Sequence, residues 1–239
     1  MRVRTIALVF ILSAFAVCRC SAQNLPPDSL RYSDAAKQVI GQFKTTIADQ
    51  SELYNGAQYE LYPPANKGTF YFLDKNYCVP SLIHYNDTWY KNIPILYDVH
   101  NDVMVSIADN NLYAMRSEKV SDVYLLDHHF IYKDADPLNN LPAGFYDLLY
   151  GGRSAVLVKR AKKVDESKAT EIIYEDITDI YVKKGDKYFP VSSKGSVMDV
   201  FKDKNRELNQ YLKDNKIKFN KDREGAITRL ARYYDQINK

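Results

Sequence analysis

The sequence predicts a mainly β fold, an antiparallel meander that forms either a half-barrel or a sandwich, with one N-terminal helix and two C-terminal helices packed on it. Two observations carry this prediction. Between Ser81 and Tyr150, short runs of aromatic and β-branched residues are separated by Asn and Asp, which tolerate turn conformations. After Ser196, apolar residues recur at every third or fourth position, the spacing that places them on one face of a helix.

The chain begins with a predicted secretory signal peptide, residues 1–22. Arg2 and Arg4 precede the apolar run Ile6–Val17, and small residues ending at Ala22 supply a cleavage site. About a dozen apolar residues fall short of the roughly 20 that a membrane-spanning helix needs, so we predict no transmembrane span in the mature chain. Lipidation of Cys18 is left open, although the residue before it is neither Gly nor Ala.

Cleavage makes the mature chain formally neutral. The full sequence has 33 Lys plus Arg and 30 Asp plus Glu, and the removed segment contains Arg2, Arg4 and Arg19, which leaves 30 of each sign. A neutral chain gives no argument for binding nucleic acid, which needs a concentrated basic surface. Cys78 is then the one remaining cysteine, so we expect no internal disulfide and a small buried side chain rather than a catalytic thiolate.

Residues 23–52 are predicted to be a tether followed by a helix. Pro26 and Pro27 lie in the tether. The helix is predicted from apolar residues at spacings of three and four, namely Ala35, Ala36, Val39, Ile40, Phe43 and Ile47.

Residues 53–194 are predicted to be the antiparallel β domain. Thr69–Leu73 is interpreted as a strand, and the charged segment Lys159–Lys168 as an exposed loop. The Gly151-Gly152 pair between two apolar runs predicts a hairpin with a tight primed turn. Further turns are predicted at Asn55-Gly56, Asn86-Asp87, Asn101-Asp102, Asn110-Asn111 and Gly185-Asp186.

Residues 195–239 are predicted to form two amphipathic helices that pack on the β domain. Ser196 followed by Asp199 resembles a capping box at the start of the first helix, and Asn220 or Asp222 would cap the second. Most amphipathic helices cover a core, so we prefer packing on the sheet over partner binding. The two apolar stripes consist of Val197, Val200, Phe201, Leu208, Tyr211 and Leu212, and of Ala226, Ile227, Leu230, Tyr233, Tyr234 and Ile237.

The four histidines, all inside the meander, are the candidates for metal or acid–base chemistry. None of them has a recognisable metal-binding spacing, and no serine lies in a nucleophile elbow, so we predict no metal, no cofactor and no catalytic residue. The alternative is a periplasmic hydrolase built from acid and imidazole groups that are close in the sequence. These groups are Asp98, His100, Asp127, His128 and His129.

Twenty tyrosines are the unusual feature of the composition. Tyrosine has a broad apolar face and one hydroxyl, which suits binding surfaces as well as cores that end near water. An exposed row of Trp89, Tyr90 and Tyr97 could stack on sugars or hold a peptide, and these three residues are the candidate ligand-binding site. The alternative is that the rings are cross-strand pairs that hold the sheet together.

Three short segments carry a resemblance to a known group of proteins. They are Leu53-Tyr54-Asn55-Gly56, Ile95-Leu96-Tyr97-Asp98 and Gly144-Phe145-Tyr146-Asp147-Leu148-Leu149-Tyr150. With a signal peptide before them and a charged helical tail after them, the chain resembles uncharacterised exported β-rich proteins common in Bacteroidota. The resemblance covers most of the mature chain and implies a secreted or cell-envelope location in a Gram-negative bacterium. Periplasm, extracellular space and association with the outer membrane are all left open.

The function predicted from these observations is that of a non-enzymatic exported envelope protein, a binding or accessory module. An aromatic-rich face of its sheet would hold a lipid, glycan or protein partner. The hydrolase described above is one alternative. A structural component of an envelope assembly is another, for which a contiguous exposed apolar patch would be the sign.

Overall fold

The computed structural model describes residues 50–62, 65–165 and 171–238. These residues form a mainly β domain, in which eleven antiparallel strands make one curled sheet, a half-barrel, and three α-helices follow it in the chain. The predicted β class is therefore confirmed, and the sheet is a half-barrel rather than a sandwich. The predicted signal peptide and N-terminal helix lie outside the described residues.

The strands follow the predicted succession of short runs and turns. Asn and Asp adopt a left-handed backbone in two hairpin turns, Asn86-Asp87 and Asp109-Asn110. The second turn lies one residue before the predicted Asn110-Asn111. The strands are β1 Gln58–Tyr59, β2 Val79–Tyr85, β3 Thr88–Asp98, β4 Val103–Ala108, β5 Asn111–Ala114, β6 Val120–Leu125, β7 His128–Lys133, β8 Gly144–Tyr150, β9 Val156–Val164, β10 Tyr174–Lys184 and β11 Lys187–Val191.

Most neighbours in the sheet are also neighbours in the chain. The strand order is β1-β5-β4-β3-β2-β6-β7-β8-β9-β10-β11, so β2 pairs with β6 and β1 with β5, whereas every other pair consists of consecutive strands. Fully buried Ile83 and Val123 lie opposite each other in the β2–β6 pair. The two-residue β1 and the strand β11, which contains Pro190, are the edges of the sheet.

Segments from the two halves of the sheet meet across its open side. The Tyr174 N–H donates to Lys67 O at 3.0 Å, and Lys159 Nζ of β9 donates to Asp102 Oδ2 of the β3–β4 turn at 2.5 Å. Gly144, with φ +128°, lies against Asp102 and Lys159 so closely that a Cβ atom there would clash with both side chains. These contacts join β9 and β10 to segments that are not their neighbours in the sheet.

The inner face of the sheet carries two hydrophobic cores. The first, which we call the barrel core, fills the curl of the strands from β2 to β8, and the second, the helix-covered core, lies between β9–β11 and the helices. The barrel core contains Leu53, Phe72, Ile83, Tyr85, Tyr90, Ile93, Ile95, Tyr97, Val99, Met104, Met115, Val120, Val123, Leu125, Phe130 and Phe145. The helix-covered core contains Val156, Val158, Ile180, Val182, Val191, Val197, Met198, Phe201, Leu208, Leu212, Phe219, Ala226, Ile227, Leu230, Ala231 and Tyr234.

The described C-terminal residues form three α-helices rather than the predicted two. They are α1 Lys194–Val200, α2 Asn205–Asp214 and α3 Arg223–Ile237. The short 3-10 turn Lys202–Lys204 interrupts the apolar stripe that the periodicity assigns to one helix. Ser193, rather than the predicted Ser196, caps α1 in a capping box with Ser196, and Asp222 caps α3 as predicted. No helix among the described residues is long and apolar enough to cross a membrane.

Three local backbone predictions are wrong. Thr69–Leu73 is not a strand, because Phe72–Asp74 forms a 3-10 turn in which Leu73 has φ +51°. The hairpin of β8 and β9 exists, but five residues, Gly151–Ala155, connect its strands, and neither glycine has positive φ. The predicted tight primed turn is therefore absent there. Similarly, Asn55-Gly56 leads from the 3-10 helix Gln50–Tyr54 into β1 and makes no hairpin.

The charged segment predicted to be an exposed loop belongs in large part to β9. Lys159, Arg160 and Lys162 reach carboxylates that are distant in the sequence, and Lys162 itself is only 5% exposed. Its ammonium group lies 2.5 Å from Asp74, which precedes β2. The positive charges of the segment are therefore neutralised by carboxylates that the fold brings close, and the local sequence does not reveal these partners.

Candidate functional site

The structure separates the three residues of the predicted aromatic row. Tyr90 and Tyr97 are 5% and 1% exposed and belong to the barrel core, whereas Trp89 is half-buried and lies outside that core. A β-bulge in β3 contributes to this arrangement: Asn92 has φ +57°, and two residues of β3 oppose one of β2. Tyr90 and Tyr97 thereby reach the same core although seven positions separate them. The three side chains do not share one exposed surface.

Trp89 belongs to a different row of rings, which crosses four strands. Ring centroids lie 4.8 Å apart between Trp89 and His84, 6.0 Å apart between Trp89 and Tyr124, and 4.1 Å apart between Tyr124 and His129. The last pair is stacked with an interplanar angle of 9°. The other two pairs are tilted, with interplanar angles of 41° and 39°. Because each ring packs against a ring on a neighbouring strand, the row fits cross-strand support better than an open platform for sugars.

Asp122 fastens this row of rings to β6. Its carboxylate accepts hydrogen bonds from His129 Nε2 and from the Ser121 hydroxyl, both at 2.8 Å, and Ser121 also contacts His84 Nδ1. Burial alone would raise the pKa of Asp122, but the hydrogen bonds from His129 and Ser121 hold that pKa below its usual value. The carboxylate is therefore ionised at neutral pH and acts as an acceptor for the row.

The first acid–imidazole pair of the hydrolase alternative is structural. Asp98 is fully buried and accepts a hydrogen bond from the backbone N–H of His100 at 2.9 Å and from the Tyr59 hydroxyl at 2.8 Å. The ring of His100 contacts the Lys162 carbonyl at 2.9 Å. Asp98 thus closes the β3–β4 turn and does not orient the imidazole.

The remaining acid and imidazole groups of that alternative are not paired as the sequence suggests. Asp127 is exposed in the β6–β7 turn, and His129 pairs with Asp122. His128 turns to the inner face, where its Nδ1 lies 2.7 Å from Oδ2 of Asp147, a β8 residue that is 1% exposed. The partner of His128 is therefore a carboxylate that sequence proximity does not indicate.

His128, Asp147, Arg160 and Glu224 form what we call the ionic cluster. Arg160 donates to Asp147 Oδ2 from Nε at 3.1 Å and from Nη2 at 2.6 Å, and to the Glu224 carboxylate of α3 from Nη1 at 2.6 Å and from Nη2 at 2.8 Å. Burial alone would lower the pKa of Arg160, but Glu224 and Asp147 raise it above its usual value. The cluster joins β7, β8 and β9 to the first turn of α3.

An open cavity of about 590 Å³ lies beside that first turn of α3. Its wall includes Lys221, Asp222, Arg223 and Glu224, so cations and carboxylates alternate along it. Asp222 already accepts from the backbone N–H of Gly225, and Glu224 is held by the ionic cluster. The wall favours neither sign of ligand charge and gives no argument for a specific ligand.

Exposed apolar side chains surround Phe72 at one end of the half-barrel. Leu73, Tyr77 and Leu126 are 56%, 56% and 40% exposed, and we call these three residues the leucine rim. Tyr77 and Leu126, together with Phe72 and Lys75, border a depression of about 10 Å³. Small-molecule pockets measure roughly 300–1,000 Å³, so the leucine rim is an exposed apolar surface and does not form a pocket of ligand size.

Both leucines of the rim have a left-handed backbone, with φ +51° at Leu73 and +55° at Leu126. Of the eleven non-glycine residues with positive φ in the described ranges, eight are Asn or Asp, and the other three are Leu73, Leu126 and Lys216. Asn and Asp tolerate this conformation, whereas most other side chains lose about 1–2 kcal/mol in it. Leu126 also opens the two-residue turn Leu126-Asp127, a position where glycine is preferred. Neither conformation nor burial explains leucine there.

The described residues were compared with what a metal site and a reactive thiol would need. Within residues 50–62, 65–165 and 171–238, no group of three His, Cys, Asp or Glu side chains is placed to hold a metal ion. Cys78 is partly buried against Tyr71 and Leu96, and burial raises the pKa of its thiol, which disfavours a reactive thiolate.

Sequence reasoning missed the leucine rim and the ionic cluster. Leu126 adjoins apolar strand residues and resembles them, so only its backbone conformation distinguishes it. Arg160 and Asp147 lie on strands whose pairing brings them together, and Glu224 comes from a helix 64 positions after Arg160. Comparison with protein-family models, with curated proteins and with solved structures finds no match to this chain.

Proposed function

We propose that this chain is an exported, non-enzymatic binding module of the cell envelope and that the leucine rim is its contact surface. The predicted signal peptide supports export. The observation that supports the contact surface is the coincidence of exposure and left-handed backbone at Leu73 and Leu126. Backbone strain of this kind persists at positions selected for a role other than folding.

The chemistry of the rim favours association over catalysis. Its three side chains offer two aliphatic groups and one phenol, and the neighbouring Lys75 ammonium is already 3.0 Å from the Tyr77 hydroxyl. Polar groups that converge on a reacting atom, which an active site needs, are not part of this surface. An exposed apolar patch bordered by polar residues is typical of an interaction site.

Site-specific photo-crosslinking from Tyr77 tests the contact surface. A benzophenone amino acid is placed at position 77 of the secreted chain, and envelope fractions are illuminated. We expect an adduct that excess unlabelled chain competes away, whereas excess chain carrying Leu73→Asn and Leu126→Gly does not. The matched control has the same amino acid at Asn111, an exposed residue of the edge-adjacent strand β5. Equal adducts at both positions would contradict the proposal, and so would the absence of any protein or lipid adduct at position 77.

Export has its own test. Expression of the full chain in a Gram-negative host, followed by fractionation and intact-mass measurement, should yield a periplasmic or secreted protein that begins at Gln23. A protein that retains residues 1–22 in the cytoplasm would overturn the export part of the proposal and leave the contact surface to be judged separately.

A hydrolase is the second candidate, favoured by one observation. The buried Asp147 carboxylate contacts Nδ1 of His128 at 2.7 Å, the arrangement in which a carboxylate orients an imidazole that acts through its other nitrogen. Among the described residues, no hydroxyl or thiol group hydrogen-bonds to His128, so water would be the nucleophile. Screening ester and amide substrates against the chain and its His128→Gln variant decides this: turnover lost in the variant, with unchanged melting temperature, would favour the hydrolase.

A further inference from the structure

We propose that the leucine rim inserts into the interfacial region of a lipid bilayer and docks the domain on a membrane surface. This inference rests on the proposed function and names the partner of the same surface. Leu126 occupies the tip of the β6–β7 turn, Leu73 the 3-10 turn before β2, and Tyr77 the segment between that turn and β2. The three side chains therefore come from two separate loops: Tyr77 and Leu126 border the same depression, and Leu73 directly follows Phe72, which also lines it.

The size of the surface argues against a second copy of the chain or a large protein partner. Three partly exposed side chains present on the order of a few hundred Å² of apolar area, the size of the largest patch on an ordinary monomer. A stable protein–protein interface buries about 800 Å² on each partner. A bilayer surrounds each protruding side chain and needs no complementary surface, so a few apolar loop tips suffice to make contact with it.

The polar neighbours of the rim fit the headgroup region. Tyr77 has an apolar ring and a hydroxyl, and Lys75 has a long aliphatic stem that ends in an ammonium group 3.0 Å from that hydroxyl. Side chains of both kinds are favoured at the boundary between hydrocarbon and headgroups. Lys75 and the exposed Asp127 have opposite charges, and Asp74 is neutralised by Lys162 at 2.5 Å. The surroundings of the rim are thus close to neutral, which suits zwitterionic lipids.

Comparison of this site with the other hairpin turns shows what the leucines cost the fold. Asn86-Asp87 and Asp109-Asn110 turn the chain with residues that tolerate positive φ, whereas Leu126-Asp127 begins with leucine. Replacing Leu126 by Gly and Leu73 by Asn relieves both strained positions and removes the apolar tips. A residue kept for membrane contact should therefore show opposite effects on the two properties: its replacement weakens membrane binding and strengthens the fold.

Flotation of residues 23–239 with phosphatidylcholine vesicles tests the inference. We expect the chain to float with the vesicles equally at low and high salt, and without need of anionic lipid. The Leu73→Asn, Leu126→Gly double variant should partition about tenfold less, since each lost apolar contact weakens binding. Its melting temperature should rise by a few degrees. The matched control is Leu138→Asn, which removes an 88% exposed leucine from the β7–β8 connection and should leave flotation unchanged.

Each other outcome overturns the inference in a distinct way. Flotation of the double variant like the original chain would show that the rim does not insert. Binding only to vesicles with phosphatidylglycerol, lost at high salt, would show an electrostatic contact through another surface. Absence of flotation together with a competable protein adduct from position 77 would make the partner a protein and leave the proposed function intact. Absence of both would overturn the proposed function as well.

Discussion

The barrel core and the helix-covered core are built on the same sheet from different side chains. Six of the sixteen buried residues in the barrel core are aromatic, against three of sixteen in the helix-covered core, which includes Ala226 and Ala231. A sheet that curls on itself must fill the curl with side chains from its own strands, and large rings do so. A helix approaches a sheet closely where its side chains are small. The way in which each part of the sheet is covered therefore decides which residues its core can use.

The two cores meet at a polar boundary. Asp147 on β8 pairs in register with Phe130 on β7, a barrel-core residue, and with Val158 on β9, a helix-covered-core residue. Arg160 and Glu224 extend this boundary to α3. The cores are consequently joined by the backbone of one sheet and by ion pairs, rather than by continuous apolar contact.

The largest expected effect is a loss of stability when one buried side chain is truncated in each core, a larger side chain in the barrel core and a smaller one in the helix-covered core. Phe130 and Leu230 are both fully buried, one in each core. Phe130→Ala should lower the free energy of unfolding by about 3–5 kcal/mol and Leu230→Ala by about 2–5 kcal/mol, because each leaves a cavity. Urea unfolding followed by circular dichroism and by tyrosine fluorescence measures both. A single coincident transition in each variant is expected; two transitions, of which only one moves, would mean that the cores unfold independently.

The second largest loss of stability is expected in the ionic cluster, at the polar boundary between the two cores. Arg160→Met leaves the 1% exposed Asp147 carboxylate with only the hydrogen bond to His128 in the ionic cluster, and breaking a buried ion pair in this way costs about 3–5 kcal/mol. Glu224→Gln is the matched comparison, since its side chain is 32% exposed and its loss should cost about 1 kcal/mol or less. Equal costs for the two variants would refute the description of Arg160 as the group that neutralises Asp147.

A smaller effect should be confined to the helix-covered core. Ser193→Ala removes the side-chain acceptor for the Ser196 N–H at the start of α1 and should cost about 1 kcal/mol. Ser192→Ala changes a neighbouring exposed serine that does not cap the helix and should have an effect within about 0.5 kcal/mol. Thermal unfolding of both variants measures the difference, and equal melting temperatures would exclude a capping contribution.

The smallest effect concerns acid stability on the barrel side. Because the folded-state pKa of Asp122 lies below its unfolded value, its contribution is fully present above about pH 4 and is lost as pH falls through the folded-state pKa. Between about pH 5 and pH 2, the chain should lose up to about 1 kcal/mol more stability than its Asp122→Asn variant, which cannot titrate at this position. Urea midpoints across this range measure the difference. Parallel curves would show that His129 and Ser121 do not stabilise the carboxylate.

The hairpins of the barrel side could be predicted from the sequence because their turn chemistry is local. Asn86-Asp87 carries its own conformational preference, and the strands beside it contain β-branched and aromatic residues. The face on which each ring lies could not be predicted, because the bulge at Asn92 shifts the alternation between Tyr90 and Tyr97. Exposure of an aromatic row depends on that alternation, which is why the predicted ligand-binding row was not obtained.

The charged parts of the molecule were harder to predict, because their partners are distant in the sequence. Arg160 is a strand residue whose charge Asp147 and Glu224 neutralise, whereas the local sequence around it has the composition of a solvated loop. The leucine rim was missed for a different reason: side-chain identity does not reveal a left-handed backbone at Leu126. Local preference and local charge therefore predict the meander, while contacts between remote strands decide the site.

The edges of the sheet bear on how the protein behaves at high concentration. An exposed edge strand offers unpaired N–H and C=O groups to other chains and so promotes fibril growth. One edge here is β1, only two residues long, and the other is β11, where Pro190 lacks the N–H that a new strand would need. Chains of this protein are thus poor templates for one another, which favours their staying dispersed in a crowded compartment.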